Sequence, residues 1–201
     1  MTETGARLEF WYDFASTYSY LSAMRIEALA AAAGAEIAWK PFLLGPIFAA
    51  QGWTTSPFNL YPAKGRNMVR DIERFAAERG LGFALPQRFP QSSLMAARLA
   101  LVGSDEGWIA PFTRAVYVAE FAHGADISDG QALGPILQSL HLDSQKIFTR
   151  IEQGDIKDRM RQQTAEAQAR GIFGAPSFLV GEELFWGDDR LEQALTWASR
   201  G

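Results

Sequence analysis

Cysteine is missing altogether from the 201 residues of this chain. Its own side chains therefore build no disulfide, no thiolate nucleophile, no iron–sulfur ligand set and no thiolate zinc site. Any thiol chemistry has to be brought in by a bound molecule. Histidine is nearly missing too: His123 and His141 are too few for a multi-histidine metal site, so only carboxylates could form one and no metal is expected. Positive charge is not in excess, with 19 Lys and Arg against 23 Asp and Glu and a net charge of −4. No cationic field is present to hold a polyphosphate, and nucleic acid is not expected as a partner. No apolar run approaches the roughly eighteen residues of a membrane span, and Met1 to Gly5 shows no basic segment leading into an apolar one. A cytoplasmic protein with no membrane partner is the expectation.

What is present is ordinary for a folded chain: 48% hydrophobic, 12% aromatic and 21% charged residues leave no room for a disordered or collagen-like class. The length suits one domain, or one domain carrying a large insertion. Leu8, Phe10, Tyr12 and Phe14 alternate as one face of a strand, and apolar positions at helical spacing predict a helix over 18–33, stopped by Gly34. Ile37 and Trp39 alternate again before Pro41. A turn-rich stretch then leads to predicted helices over 64–79, 92–102, 108–123, 129–140, 144–153 and 156–170. Two short β-rich runs, 177–180 and 183–186, flank Gly181-Glu182, the signal of a two-residue hairpin loop of type II′. A last helix follows Gly187. The chain reads β-α-β, helices, β-β-α, and neither end alone makes a covered sheet. The fold class expected is therefore α/β, with residues 1–44 and 171–201 as one unit around a helical insertion at 45–170.

Two segments could carry chemistry. In Asp13-Phe14-Ala15-Ser16-Thr17-Tyr18 a hydroxyl opens a helix after a strand, beside unpaired backbone N–H groups that favour an anion. Ser16 can stand there to hydrogen-bond a thiolate, or serve only as the helix N-cap. In Gly171-Ile172-Phe173-Gly174-Ala175-Pro176-Ser177-Phe178 a proline precedes a strand. A cis bond would turn the polar backbone of Ala175 towards a ligand or an extended peptide, whereas a trans proline would merely start an edge strand. Arg70, Asp71, Glu73 and Arg74 read as a solvated helix face with ion pairs. His123 reads as a partner of helix-terminal carbonyls, and Trp108, Phe112 and Tyr117 as core.

Together these elements resemble the thioredoxin fold with a large all-helical insertion, and more narrowly the 2-hydroxychromene-2-carboxylate isomerases and the kappa-class glutathione transferases. The matching motifs run in family order: Tyr12-Asp13-Phe14-Ala15-Ser16-Thr17-Tyr18-Ser19-Tyr20-Leu21, Pro62-Ala63-Lys64-Gly65, Asp126-Ile127-Ser128-Asp129, the Gly171 to Phe178 loop, and Phe185-Trp186-Gly187-Asp188-Asp189-Arg190-Leu191. The resemblance implies glutathione as cofactor, a small aromatic substrate and a homodimer. It implies that Ser16 is catalytic and supports the glutathione thiol, that Lys64 lies near the tripeptide, and that Ala175, before a cis Pro176, meets its cysteinyl part. It further implies that Asp188 and Asp189 grip the γ-glutamyl end. Thr17 replaces the family's proline, and Trp53 stands where several members have a glutathione-binding asparagine. Asn59 can supply that amide or cap a turn. The activity implied is glutathione-dependent isomerisation of a hydroxychromene carboxylate. The alternatives are a transferase conjugating glutathione to electrophiles and a non-enzymatic peptide-binding module.

Overall fold

The computed structural model describes residues 6–200, and its first strand follows the alternation in the sequence. In β1, Ala6–Tyr12, the side chains of Leu8, Phe10 and Tyr12 enter one buried cluster and Trp11 enters another on the opposite face. Helix α1 (Thr17–Ala23) and helix α2 (Ile26–Ala33) occupy the span where one helix is predicted; the chain breaks at Met24 and Arg25, where the Arg25 guanidinium reaches out to Asp188. Gly34 ends α2 in the left-handed conformation, at φ 66°. Strand β2 (Ala35–Pro41) returns parallel to β1, with Leu8 opposite Ile37 and Phe10 opposite Trp39.

Two short helices come next that the periodicity does not predict, α3 (Leu44–Ala50) and α4 (Pro57–Leu60). They are followed by α5 (Pro62–Glu78), α6 (Leu94–Glu106) and α7 (Ile109–Tyr117). The predicted helix over 108–123 is interrupted, because α7 passes into a π-helical turn at Val118–Ala122. Helices α8 (Gly130–Ser139), α9 (Ser144–Ile151) and α10 (Gly154–Ala169) complete the helical region. Strands β3 (Ser177–Val180) and β4 (Glu183–Trp186) form the expected hairpin, and Gly181 at φ 61° provides the positive φ that a type II′ loop needs at its first position. A 3₁₀ turn, Asp188–Arg190, leads into α11 (Leu191–Ala198).

The sheet order is β2-β1-β3-β4, with β3 antiparallel to β1 and to β4. This is the expected thioredoxin-like arrangement carrying a helical insertion. Trp11, Phe42, Ile47, Ala167, Ile172 and Leu179 fill one face of the sheet. The other face shares a continuous core with the inserted helices, in which Phe10, Tyr12, Phe14, Phe112, Tyr117, Phe121 and Phe178 are all fully buried. Trp108, Phe112 and Tyr117 are thus core residues. Rings of this size bury the most apolar area per residue and pack edge-to-face or offset, as Tyr12 does on Phe14 at 5.4 Å between centroids. The result is a rigid wall behind the β1–α1 turn. Among the described residues no helix is long and apolar enough to cross a membrane, and no group of three or more His, Asp or Glu could hold a metal ion.

Candidate active site

The turn after β1 is held by backbone and side-chain bonds from four directions. Asp13, 3% exposed, accepts hydrogen bonds on its carboxylate from the N–H of Ala15 at 2.9 Å and of Leu44 at 2.6 Å. Burial pushes its pKa up, and those two donors oppose the rise by favouring the charged form. The Asp13 carbonyl accepts from the Ser16 N–H at 2.9 Å and from the Tyr117 hydroxyl at 2.9 Å. Ser16 follows with extended backbone, φ −101° and ψ 112°, and its Oγ accepts from the Ser19 N–H at 3.2 Å, so it is the N-cap of α1.

The same hydroxyl has a second contact that a cap alone does not need. Ser16 Oγ donates to the Ala175 carbonyl at 2.9 Å, across 159 residues of sequence. The Ala175–Pro176 bond is cis, and the Ala175 N–H donates to no atom among the described residues. Ser177 Oγ donates to the Gly174 carbonyl at 2.9 Å, and the Gly187 N–H to the Pro176 carbonyl at 3.0 Å. The Trp186 indole lies directly on Gly174, where a Cβ would collide with it. Ser16, Ala175 and Pro176 are therefore brought together, with the turn at Gly187 tied to them.

The two aspartates after Gly187 part company. Asp188 is turned inward and 4% exposed; its carboxylate accepts from Ser22 Oγ at 2.8 Å, from Arg79 at 2.7 Å and from Arg25 at 3.3 Å, and its carbonyl accepts from Arg25 at 2.7 Å. Arg25 also pairs with Glu192. Asp188 thus joins α1, α2, α5 and α11, and its oxygens are engaged by the protein itself. Asp189 faces outward with its side chain 68% exposed, beside Arg190 at 3.3 Å. Gly187 sits at φ 111°, and a Cβ there would fall 2.6 Å from Asp189 Oδ1, so glycine is what lets that carboxylate fold back over the turn.

Lys64, in the first turn of α5, is exposed and lies over the Tyr61 ring at 4.9 Å; it pairs with no carboxylate among the described residues. It borders a cleft of about 390 Å³ between α1 and α4–α5, lined by Tyr18, Phe58, Ala63, Lys64, Asn67 and Met68. Asn59 is exposed and does not line it; its carboxamide donates to Thr55 Oγ1 at 3.1 Å, a local turn contact. Tyr18 donates its hydroxyl to Asp71 Oδ2 at 2.9 Å, and burial together with that carboxylate pushes its pKa up. Asp71 is therefore more than a member of a solvated face, although Arg70–Glu73 and Arg74–Asp71 do pair as expected at 2.7 and 3.0 Å. His123 follows the π-helical turn and is exposed, and its side chain makes no hydrogen bond among the described residues, so the expected bond to helix-terminal carbonyls is not formed.

Sequence reading misses Asp13 as the anchor of the turn, although its place three residues before the serine is the available signal. It misses the Arg25 and Arg79 grip on Asp188, Asn67, and Glu120, which no local pattern marks. Glu120 sits in the π-helical turn, fully buried, with neither carboxylate oxygen hydrogen-bonded. Burial raises its pKa well above the usual carboxylate range, and nearby Asp13 adds to the rise.

With this geometry in hand, comparison with known proteins is specific. The model of the DSBA-like thioredoxin domain matches residues 7–196. A 2-hydroxychromene-2-carboxylate isomerase of Sphingobium xenophagum is 30% identical over 193 residues, covering 96% of each chain. The isomerase of the same name from Pseudomonas putida is 27% identical, over 92% of this chain and 90% of that one. Glutathione s-transferase kappa 2 of Caenorhabditis elegans is 24% identical over 92% of this chain and 88% of its own. Among solved structures, a 2-hydroxychromene-2-carboxylate isomerase superimposes with a TM-score of 0.85 at 24% identity, over 96% of this chain and 95% of the other. Domain match and near full-length identity agree with the serine turn and the proline loop: the chain belongs to the DSBA-like thioredoxin domain family and, within it, to the 2-hydroxychromene-2-carboxylate isomerases.

Proposed function

We propose that the chain is a glutathione-dependent isomerase that interconverts a hydroxychromene carboxylate and an o-hydroxybenzylidenepyruvate. The observation that carries this reading is the hydrogen bond from Ser16 to the Ala175 carbonyl in a chain without cysteine. A hydroxyl, not a thiol, stands where helix α1 begins, and the loop facing it offers a free backbone N–H. The groups around it suit a zwitterionic tripeptide: Lys64 has no carboxylate partner among the described residues and can take the glycyl carboxylate, while outward-facing Asp189 can take the γ-glutamyl ammonium. Ala175 pairs with the cysteinyl backbone as a strand edge does. Asp188, fully engaged, positions Asp189, and Asn59 keeps its turn contact.

When bound, glutathione supplies a thiolate that adds reversibly to a conjugated carbon and converts a double bond into a rotatable single bond. The chain's part is to favour that thiolate. Ser16 has one proton, donated to Ala175 in the free protein; a cysteinyl N–H arriving at that carbonyl releases the proton for the sulfur. Each pKa unit by which the thiol is lowered corresponds to about 1.36 kcal/mol. Names of relatives support the reading: three of the curated matches are hydroxychromene-carboxylate isomerases and one is a kappa glutathione transferase. A structure of the disulfide reductase DsbM of Pseudomonas aeruginosa with GSH shares the fold at a TM-score of 0.66.

Calorimetric titration with reduced glutathione and with S-methylglutathione tests the cofactor. Saturable binding of both is expected, and no heat with either overturns the reading. Mass spectrometry of the turnover mixture then separates two outcomes: an isomer of unchanged mass is expected, whereas a lasting conjugate would make the chain a transferase, as the nematode relative's name would have it.

A further inference from the structure

The cleft between α1 and α4–α5 is shallow and open to solvent, and Thr17, next to the serine, bonds to a residue that lines it. Thr17 donates its hydroxyl to Met68 Sδ at 3.4 Å, and Met68 is 2% exposed. Tyr18 lines the cleft on the α1 side, and its hydroxyl is tied to Asp71 at 2.9 Å. Phe58 forms the facing wall; Gly65 packs against the Phe58 carbonyl so tightly that a Cβ would collide with it, which locks α4 to α5. The volume of about 390 Å³ lies within the usual range for a small-molecule site, roughly 300–1,000 Å³.

Besides the Tyr18 hydroxyl, which is bonded to Asp71, the polar side chains among the lining residues are Lys64 and, three residues on, Asn67. Residues three apart on a helix share a face, and the Lys64 ammonium leans over the Tyr61 ring at 4.9 Å. The Asn67 side chain makes no hydrogen bond among the described residues, unlike Asn59, which is tied to Thr55. A free amide among aromatic and thioether side chains suits a ligand with an aromatic ring at one end and carboxylate and oxo oxygens at the other.

We propose that this cleft seats the aromatic acceptor and that Asn67 is its specificity-determining contact, donating a carboxamide N–H to the acceptor's carboxylate or 2-oxo oxygen while Tyr18 and Phe58 flank the ring. The class of acceptor rests on the isomerase reading above; the assignment of the cleft rests on its own lining. Lys64 stands at the border between this seat and the tripeptide, and Asn67 lies on the acceptor side.

Direct binding tests this without relying on turnover. The whole protein, its Asn67→Leu variant and its Asn67→Asp variant are titrated calorimetrically with 2-hydroxycinnamate, an unreactive aromatic carboxylate, with and without saturating S-methylglutathione. The wild type should bind in both conditions. Asn67→Leu should weaken binding roughly tenfold, the cost of one hydrogen bond to a charged group, and Asn67→Asp at least as much because its carboxylate repels the ligand's. S-methylglutathione affinity should stay within about threefold of wild type in Asn67→Leu; Asn67→Asp, whose carboxylate stands three residues from Lys64, is read on the aromatic acid alone. The proposal is overturned if the aromatic acid does not bind, if neither variant weakens it, or if S-methylglutathione displaces it. The two readings fail separately. Asn67-dependent binding of the aromatic acid with no S-methylglutathione heat leaves this site standing and removes the glutathione reading, and the reverse pattern does the opposite.

Discussion

The serine turn and the α5 face beside it are built on opposite plans. On the serine side, Asp13, Ser16, Ala175 and Asp188 come from three stretches of sequence, and all but Ala175 are nearly fully buried and held by at least two hydrogen bonds each. On the α5 side, Lys64 and Asn67 stand exposed on a single helix, with no carboxylate or amide partner among the described residues. Chemistry that depends on aiming one hydroxyl at one sulfur needs the first plan, since a small displacement removes the effect. Choice of substrate tolerates the second plan, because exposed side chains on one helix can change without disturbing the fold.

If that contrast is right, substitutions on the serine side should cost stability or rate and those on the α5 face should cost little. The largest effect belongs to Asp188→Ala, which leaves Arg25 and Arg79 without their buried carboxylate. Denaturant unfolding should show a loss of about 2–4 kcal/mol, below the full range for buried pairs because both arginines are partly exposed. A loss under about 0.5 kcal/mol would mean that the inward aspartate does not hold the wall together.

Ser16→Ala comes next. It should lower kcat on the order of 10- to 100-fold through loss of a charge-assisted hydrogen bond, and leave the KM for glutathione within about threefold. Steady-state kinetics with varied glutathione reads the split; equal loss in KM would make Ser16 a binding residue rather than a catalytic one.

Glu120 sharpens the comparison from behind the wall. Because its folded pKa lies above its unfolded one, the native state holds the proton more tightly, and the residue's contribution to stability falls as pH rises past the usual carboxylate range. Glu120→Gln should therefore stabilise the protein at pH 7 by on the order of 1–3 kcal/mol. The gain should vanish below about pH 4, where the carboxyl is neutral in both states. Thermal unfolding across pH checks this, and a gain that does not depend on pH would remove ionisation as its cause. The smallest effect is expected for Arg70→Ala on the α5 surface, where a pair exposed at 67% and 43% should be worth about 0.3 kcal/mol or less.

How much of this could be read from the chain alone depends on how local the cause is. The hairpin at Gly181 was legible to the residue, since a two-residue loop requiring positive φ is decided by its own two positions. Ser16 and the Ala175–Pro176 loop were legible as separate candidates, each with a plain structural alternative beside it. Helix α3 was not, because Leu44–Ala50 carries glycine and proline in its first turn and is stabilised by the Leu44 N–H bond to Asp13 and by Ile47 packed into the core. The break at Met24 and Arg25 was hidden for the same reason. Its alanine-rich surroundings favour one continuous helix, and the break coincides with Arg25 reaching Asp188 and Glu192, more than 160 residues away.

By itself, then, the sequence determined the absence of any thiol in the chain, the strand and helix periods, the hairpin, and the motifs that carry the family. These are properties of composition or of a few adjacent residues. Tertiary structure decided the rest: that Ser16 faces Ala175, that Asp188 turns inward while Asp189 turns outward, that Asn67 lines the cleft while Asn59 does not, and that Glu120 is sealed from water. Each of those depends on which distant group reaches a side chain first and on how much water is left around it, and neither distance nor solvent is written in the order of residues along the chain.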